Sequence, residues 1–429
     1  MRVAFLVGDV AGISGGSNVI IEYAHGLAGL GHEVALVVPA EKPETAAWHP
    51  KLHKLKLLTF AEAAPLSFDF AFATWWTTFF DLWRIEAKIY GYLNQSYESR
   101  FHAEEHYKLL NRLTYSLPLF FFTEAVWLEQ LIQAAQPGAR VLRLSNGLSR
   151  EHFPVVAQVP PRKGPLRVLV EGPWGVPFKA VAETFQLLAR ARERFAFDAG
   201  WLTSWSGFER PHFAGKPVQM VHLHEAIPIS QVAQVLGNYD VMVKLSRVEG
   251  VFGPPLEMFS QGGTVIASTV TGSDEIVTHG HNGLLVEPHN YEMVPRYLEE
   301  LHRSPALLGH LRRGALETAR RQPGWEQQTG RLEAALEQLL REGFGHRGVR
   351  QSLSGLSSLR GRYLDEVWAR ERFGLGGAAP LEQPIGDGEA LLLRRYRKLK
   401  SSLLVQQTLG RIPPRLGKTV RDLLTRAIR

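Results

Sequence analysis

The chain has 429 residues, of which 45 % are hydrophobic and 21 % charged, a composition suited to two or more globular domains. The absence of cysteine excludes disulfides, thiolate catalysis and cysteine-ligated metals. The formal net charge of +7 is unevenly placed, because residues Phe344 to Arg429 hold 17 Arg and Lys against 7 Asp and Glu.

Arg2 to Val7 is a short apolar run bounded by Gly8-Asp9, as expected of a buried parallel strand. Gly12, Gly15 and Gly16 predict a loop ending at Ser17 and Asn18, good N-cap residues for a helix with apolar positions Val19, Ile20, Tyr23, Ala24, Leu27 and Leu30. Gly31-His32-Glu33-Val34 ends that helix and begins a second strand, Ala35 to Val38; His32 is read as structural. The unit is βαβ with glycines at the carboxyl end of its first strand, where open α/β sheets bind ligands. These glycines do not spell the G-x-G-x-x-G dinucleotide fingerprint.

Phe68 to Trp76 predicts a core strand entering a helix; Asp69 and Asp81 interrupt the apolar run well short of a membrane span, and no segment reads as a signal peptide. Tyr90 to Leu93 has strand character and leads into Asn94, Gln95, Tyr97 and Glu98, while Leu119 to Phe122 predicts a buried strand ending at Thr123-Glu124. Both strand ends are expected to face a cleft. His102 and His106, four apart, fit a solvated helix face better than a metal pair, since no third ligand stands nearby in sequence. Prolines 154, 160, 161 and 165 follow Ser145-Asn146-Gly147-Leu148-Ser149, a composition suited to a hinge. The expected division is an N-terminal domain at 1–150, a linker at 151–165, a second domain at 166–343 and a basic, helical tail at 344–429.

The second domain opens with a strand, Leu166 to Glu171, before Gly172. Tyr239 to Leu245 predicts a strand and Leu256 to Gln261 a helix, so Glu249 and Glu257 flank one strand-to-helix turn. Gly250 and Gly253 permit close backbone approach there, and the helix start offers unpaired N–H groups to a phosphate. Pro254 and Pro255 lack N–H groups, so the donors are expected from Phe252, Gly253, Leu256 and Glu257. Carboxylates beside a phosphate suit a ligand that also carries vicinal hydroxyls. Taken singly, Glu257 could only complement the helix dipole and Glu249 only be a solvated loop charge. Downstream, Gly262-Gly263 precedes a strand at Thr264 to Ser268, a turn at Thr271-Gly272, a helix start at Ser273 to Val277, and His281-Asn282-Gly283 turning into Leu284-Leu285-Val286.

Ser246 to Pro288, with seven residues between the two glutamates, Glu275-Ile276-Val277 and Asn282-Gly283-Leu284-Leu285-Val286, resembles the donor-binding half of the retaining glycosyltransferase family 4. Gly15-Gly16 and Gly31-His32-Glu33-Val34 resemble the same family. The resemblance implies an α/β fold of the GT-B type, two Rossmann-like doubly wound domains facing across a cleft. It implies transfer of a hexose from a nucleoside diphosphate sugar to an acceptor hydroxyl, on a glycan or lipid-linked glycan, with retention of configuration. Glu249 would meet the hexose hydroxyls and act in catalysis, and Glu257 the ribose; Gly15, Gly16, Lys179, Gly250, Phe252, Gly253 and Leu256 complete the implied donor site. Asn94, Gln95, Tyr97 and Glu98 occupy the region where many family members place a histidine, and become the acceptor-side candidates. That stretch resembles a subset that includes bacterial polysaccharide rhamnosyltransferases.

The chain departs from the family after its Leu166 strand, where Gly172-Pro173-Trp174 stands in place of the usual Gly-Arg, although Lys179 remains. No cofactor or metal is expected, since helix dipole, amides and Lys179 supply the positive field and no Asp-x-Asp motif occurs. A nucleotide-sugar donor implies the cytoplasm. Glu389 to Leu409 predicts a basic amphipathic helix, suited either to an anionic membrane surface or to packing on the domains with a solvated basic face. Nucleic acid is not an expected partner, Tyr396 being a lone aromatic among those charges. Two alternatives stay open, a nucleotide-sugar epimerase of the same fold and a non-catalytic nucleotide-sugar-binding scaffold.

Overall fold

The computed structural model describes residues 1–8, 12–39, 42, 48–162, 164–204, 221–345 and 348–373. The basic helix expected at Glu389 to Leu409 lies outside these residues. Residues Met1–Val367 form one compact unit.

Among the described residues, the first sheet has seven parallel strands: β1 (Arg2–Leu6), β2 (Glu33–Val38), β3 (Lys56–Thr59), β4 (Ser67–Ala73), β5 (Glu86–Asn94), β6 (Phe120–Thr123) and β7 (Arg140–Arg143). They stand in the order β3-β2-β1-β4-β5-β6-β7. The second has six: β8 (Leu166–Glu171), β9 (Phe197–Thr203), β10 (Val221–Glu225), β11 (Val241–Lys244), β12 (Thr264–Ser268) and β13 (Gly283–Val286), ordered β10-β9-β8-β11-β12-β13. Runs such as Phe120-Phe121-Phe122 are buried on both faces, as parallel strands covered by helices on each side must be. In each sheet the order reverses once, between β1 and β4 and between β8 and β11. A crevice opens at the carboxyl ends of such a pair, and that is where ligands bind in doubly wound sheets.

The helices joining the first sheet are α1 (Gly15–Gly29), α2 (Phe60–Ala63), α3 (Trp76–Phe79), α4 (Glu105–Leu113) and α5 (Val126–Ala135). Those of the second are α6 (Val181–Arg192), α7 (Ile229–Leu236), α8 (Gly253–Ser260), α9 (Met293–Arg303) and α10 (Pro305–Arg321), followed by α11 (Trp325–Arg341) and α12 (Val349–Phe373). Three expectations change. Ser14 caps α1, its side chain accepting from the Ser17 amide at 3.0 Å, so Gly15 and Gly16 lie in the first helical turn and not in a preceding loop. Ser273 to Val277 makes a single turn closed onto the Ser273 carbonyl and no helix. His102 precedes α4, edge-on to the Trp76 ring at 5.4 Å, so it does not share a helix face with His106.

The chain also crosses back between its halves earlier than composition suggests. Trp325, Leu332, Leu336 and Leu339 of α11 pack into the core beneath α1 and the first sheet, and Leu353 of α12 is buried against the opposite face. Residues from Trp325 to 343 therefore complete the first domain, although they were expected in the second, and the start of the 344–429 segment is core and not appended tail. His32 is structural, its Nε2 lying 2.8 Å from Glu333 Oε1 on α11. The connection from β7 to β8 spans 144–165, longer than the expected linker at 151–165, and its first part runs beside the return at 322–325, with the Leu148 amide donating to the Pro323 carbonyl at 2.9 Å.

Glu98 is held inside this first domain, accepting from the Trp76 amide at 2.6 Å and from Tyr92 Oη at 2.8 Å. Burial pushes its carboxyl up from the ordinary 4.5 to about 8, against those two hydrogen bonds. Because the folded value lies above the unfolded one, the stability it contributes is complete below about pH 4.5 and is lost as pH rises through about 8. Glu98→Gln should therefore gain melting temperature relative to wild type between pH 5 and pH 8. A gap that stays constant over that range would contradict the buried neutral acid.

Candidate active site

The carboxyl ends of both sheets line one cleft of about 1000 Å³. Gly15, Gly16, Gln95, Glu98 and Glu124 reach it from the first domain, and Glu171, Lys179, Lys244, Glu249, Gly250, Gly253, Leu256 and Glu257 from the second. Of the expected acceptor-side residues, Asn94 and Tyr97 do not line it. Asn94 is fully buried and donates to the Ser96 carbonyl and Tyr115 Oη, both at 3.0 Å, while Tyr97 Oη accepts from Arg112 Nε at 3.2 Å. Glu98 lines the cleft with one oxygen already committed to two donors. Gln95 donates to the Gly16 carbonyl at 3.1 Å and so braces the first turn of α1.

The second domain's wall is built around Glu249. Its Oε1 lies 2.7 Å from Lys179 Nζ and 3.4 Å from Lys244 Nζ, and Lys244 is bonded also to Glu171. Burial would raise the Glu249 carboxyl, but the two lysines outweigh it and hold it at about 2. Burial would likewise favour a neutral amine at Lys244, which is 2 % exposed, yet Glu171 and Glu249 keep it charged. Glu257, one helical turn into α8, is pushed up to about 7 by burial and by Glu171. A carboxyl there carries its proton about half the time at neutrality and can donate as well as accept.

Lys244 and Glu171 were missed in the sequence. The signal was present: each is a charged residue ending a strand whose other residues are apolar apart from Arg167 in β8, beside the switch point. Beside Lys179, Lys244 is a second cation at the Glu249 carboxylate.

The start of α8 narrows the expected donor set. With the helix beginning at Gly253, the amides of Leu256 and Glu257 pair with the carbonyls of Phe252 and Gly253. Phe252 and Gly253 keep their amides outside that ladder, Pro254 and Pro255 have none, and no side chain caps the end. The Phe252 side chain is fully buried beneath the turn and does not enter the cleft.

Both domains meet at Gly250. Trp127 Nε1 donates to its carbonyl at 3.0 Å, Arg100 donates to Thr271 Oγ1 at 2.6 Å, and Phe101 and Phe178 touch across the cleft mouth with ring centroids 5.1 Å apart. A methyl group on Gly250 would overlap the Gln95 carbonyl and stand 2.8 Å from Glu124 Oε1. Gly250→Ala should hold the domains apart, raising the radius of gyration in small-angle scattering and cutting turnover. An unchanged scattering profile would show that the closed contact is dispensable.

This arrangement, two Rossmann-like domains with their strand ends facing one cleft, is the GT-B fold expected from the sequence, and residues 217–321, which hold Lys244, Glu249 and Glu257, match the family of glycosyl transferases group 1. The chain is 27 % identical over 278 residues to the O-antigen biosynthesis protein RfbC of Myxococcus xanthus, a match covering 62 % of this chain and 20 % of the relative, so the chain spans about a fifth of that protein's length. Among solved structures, sucrose-phosphate synthase from Thermosynechococcus elongatus superposes with a TM-score of 0.64 at 16 % identity, over 80 % of this chain and all of that one. HepE of Anabaena, solved in complex with UDP-glucose, gives 0.63 at 14 % identity, over 79 % of this chain and all of that one.

Proposed function

We propose that the protein is a retaining hexosyltransferase that moves a sugar from a nucleoside diphosphate donor to a glycan or lipid-linked glycan hydroxyl in polysaccharide or glycoconjugate assembly. The observation that carries the reading is the Lys179–Glu249–Lys244 cluster beside the uncapped start of α8. Two ammonium groups and two free amides suit a diphosphate, and the adjoining carboxyls suit the hydroxyls of the sugars attached to it. The group 1 match over this segment and the O-antigen relative support it.

In this mechanism the lysines and the amides of Phe252 and Gly253 stabilise the departing diphosphate, Glu249 orients the hexose, and Glu257 takes the ribose hydroxyls. Positive charge from the lysines makes a metal unnecessary. Closure at Gly250 excludes water, which favours transfer over hydrolysis. The proposed place of work is the cytoplasm, with the basic 344–429 segment drawn to an anionic membrane on the strength of its charge; unchanged sedimentation with anionic vesicles after truncation at Gly376 would dismiss that contact.

A panel of nucleoside diphosphate sugars, assayed for release of nucleoside diphosphate with and without acceptor glycans, tests the reading. Acceptor-dependent release is expected. Sugar interconversion without acceptor would instead make the protein an epimerase, and binding without turnover a scaffold.

A further inference from the structure

Three polar atoms on the first domain's side of the cleft are buried and lack any hydrogen-bond partner: Ser96 Oγ, Glu124 Oε2 and Asn146 Oδ1. They come from three separate places, the residues following β5, the end of β6 and the linker after β7, and all three residues line the same cavity. Ser96 and Glu124 are each 6 % exposed. Unpaired buried polar atoms are costly, so three that converge on one cavity point to a ligand that satisfies them.

What they ask for can be read from their chemistry. Asn146 and the Val251 amide lie within hydrogen-bonding reach of the Glu124 carboxyl, which leaves Oε2 free, and the unpaired Asn146 atom is itself an acceptor. Two free acceptors and a serine hydroxyl match groups that can donate. An anion fits poorly, because Glu249 and Glu275 are the charged groups acting on Glu124 from the second domain. Burial first, then Glu249 and Glu275, push the Glu124 carboxyl up to about 8, so near neutrality it is uncharged and can donate as well as accept. Its position is tied to the other wall, since Oε1 would stand 2.8 Å from a methyl on Gly250, the residue after Glu249. Glu124 and Glu249 line the same cavity from its two walls.

We infer that Ser96, Glu124 and Asn146 form a subsite that reads hydroxyls of the sugar being transferred, from the wall opposite Glu249. The inference rests on the nucleotide-sugar reading above and deepens it: the second domain holds the nucleotide and the first selects the sugar.

Calorimetry with paired probes separates the two. The pairs are UDP and UDP-glucose, GDP and GDP-mannose, and dTDP and dTDP-rhamnose, with the pair that wild type binds carried forward. Glu124→Ala and Ser96→Ala are each expected to weaken the sugar nucleotide by about tenfold while leaving the bare nucleoside diphosphate unchanged. Glu124→Gln, which keeps a neutral hydrogen-bonding group of the same shape, should stay close to wild type and guards against simple misfolding. Equal losses for both members of a pair, or no loss for either, would overturn the subsite while leaving the nucleotide site standing. A wild-type protein that binds none of the six probes would overturn both.

Discussion

Lys244→Met should lower the unfolding free energy by about 3 to 5 kcal/mol, the usual cost of removing one partner from a buried ionic cluster. Lys244 is 2 % exposed and is bonded to Glu171 and Glu249, so its loss leaves two carboxylates facing each other with Lys179 alone to balance them. The pH dependence should change with it. In the wild type Glu249 sits at about 2 instead of 4.5, so its stabilising contribution is complete above about pH 4.5 and is lost as pH falls through about 2. Without Lys244 that depression shrinks, and less stability remains to be lost on the acid side. Urea unfolding of wild type and variant at pH 7 and pH 4 measures both effects. Adding Glu171→Gln to the variant should recover part of the loss, because it removes one of the stranded charges. A single variant as stable as wild type would mean that Lys244 is not the centre of the cluster.

Glu249→Gln should reduce turnover by about a hundredfold, the scale on which a small misplacement of reacting groups acts. The amide keeps the shape but loses the charge that draws Lys179 to 2.7 Å and Lys244 to 3.4 Å, so both cations are freed to shift and the hexose loses its anionic acceptor. The fold should persist, since Lys244 retains Glu171. Rates of nucleoside diphosphate release, read beside thermal melts, distinguish a damaged site from a damaged fold. Full turnover in a folded variant would remove Glu249 from the mechanism.

Much of the fold was legible because parallel strands buried on both faces read as plain apolar runs, and β1, β4, β6, β8, β11 and β12 fall close to where such runs stand. A helix after β11 was legible, but it begins at Gly253, three residues before the expected Leu256, because Pro254 and Pro255 fill its first turn. Less visible was what depends on contacts far apart in the chain. α11 belongs with the first sheet because Trp325, Leu332 and Leu336 find their partners on α1 some 300 residues away, and no local pattern reports that return. Ser273 to Val277 has the residues of a helix start, but its turn closes and the chain moves on, since Asn282 reaches back to the Ile276 carbonyl and the Thr278 amide.

The site divides in the same way. Glu249 and Glu257 were recognisable from the spacing between them, and both line the cleft. Asn94 and Tyr97 were chosen because they lie at a strand end, but their side chains bond within the first domain, Asn94 to the Ser96 carbonyl and Tyr115 and Tyr97 to Arg112, while Gln95 reaches the cleft. Lys244, Glu171 and Glu124 carried a weaker mark, a charge closing a buried strand, whose meaning appears only when the strand ends are brought together.

The most direct test is a structure determined with a nucleoside diphosphate bound. The pyrophosphate should lie at the start of α8, with Lys179 and the amides of Phe252 and Gly253 against its oxygens and the Glu257 carboxyl on the ribose. A nucleotide seated on the first domain, or anywhere with Glu257 and Lys179 out of reach, would contradict the assignment of this wall as the donor site.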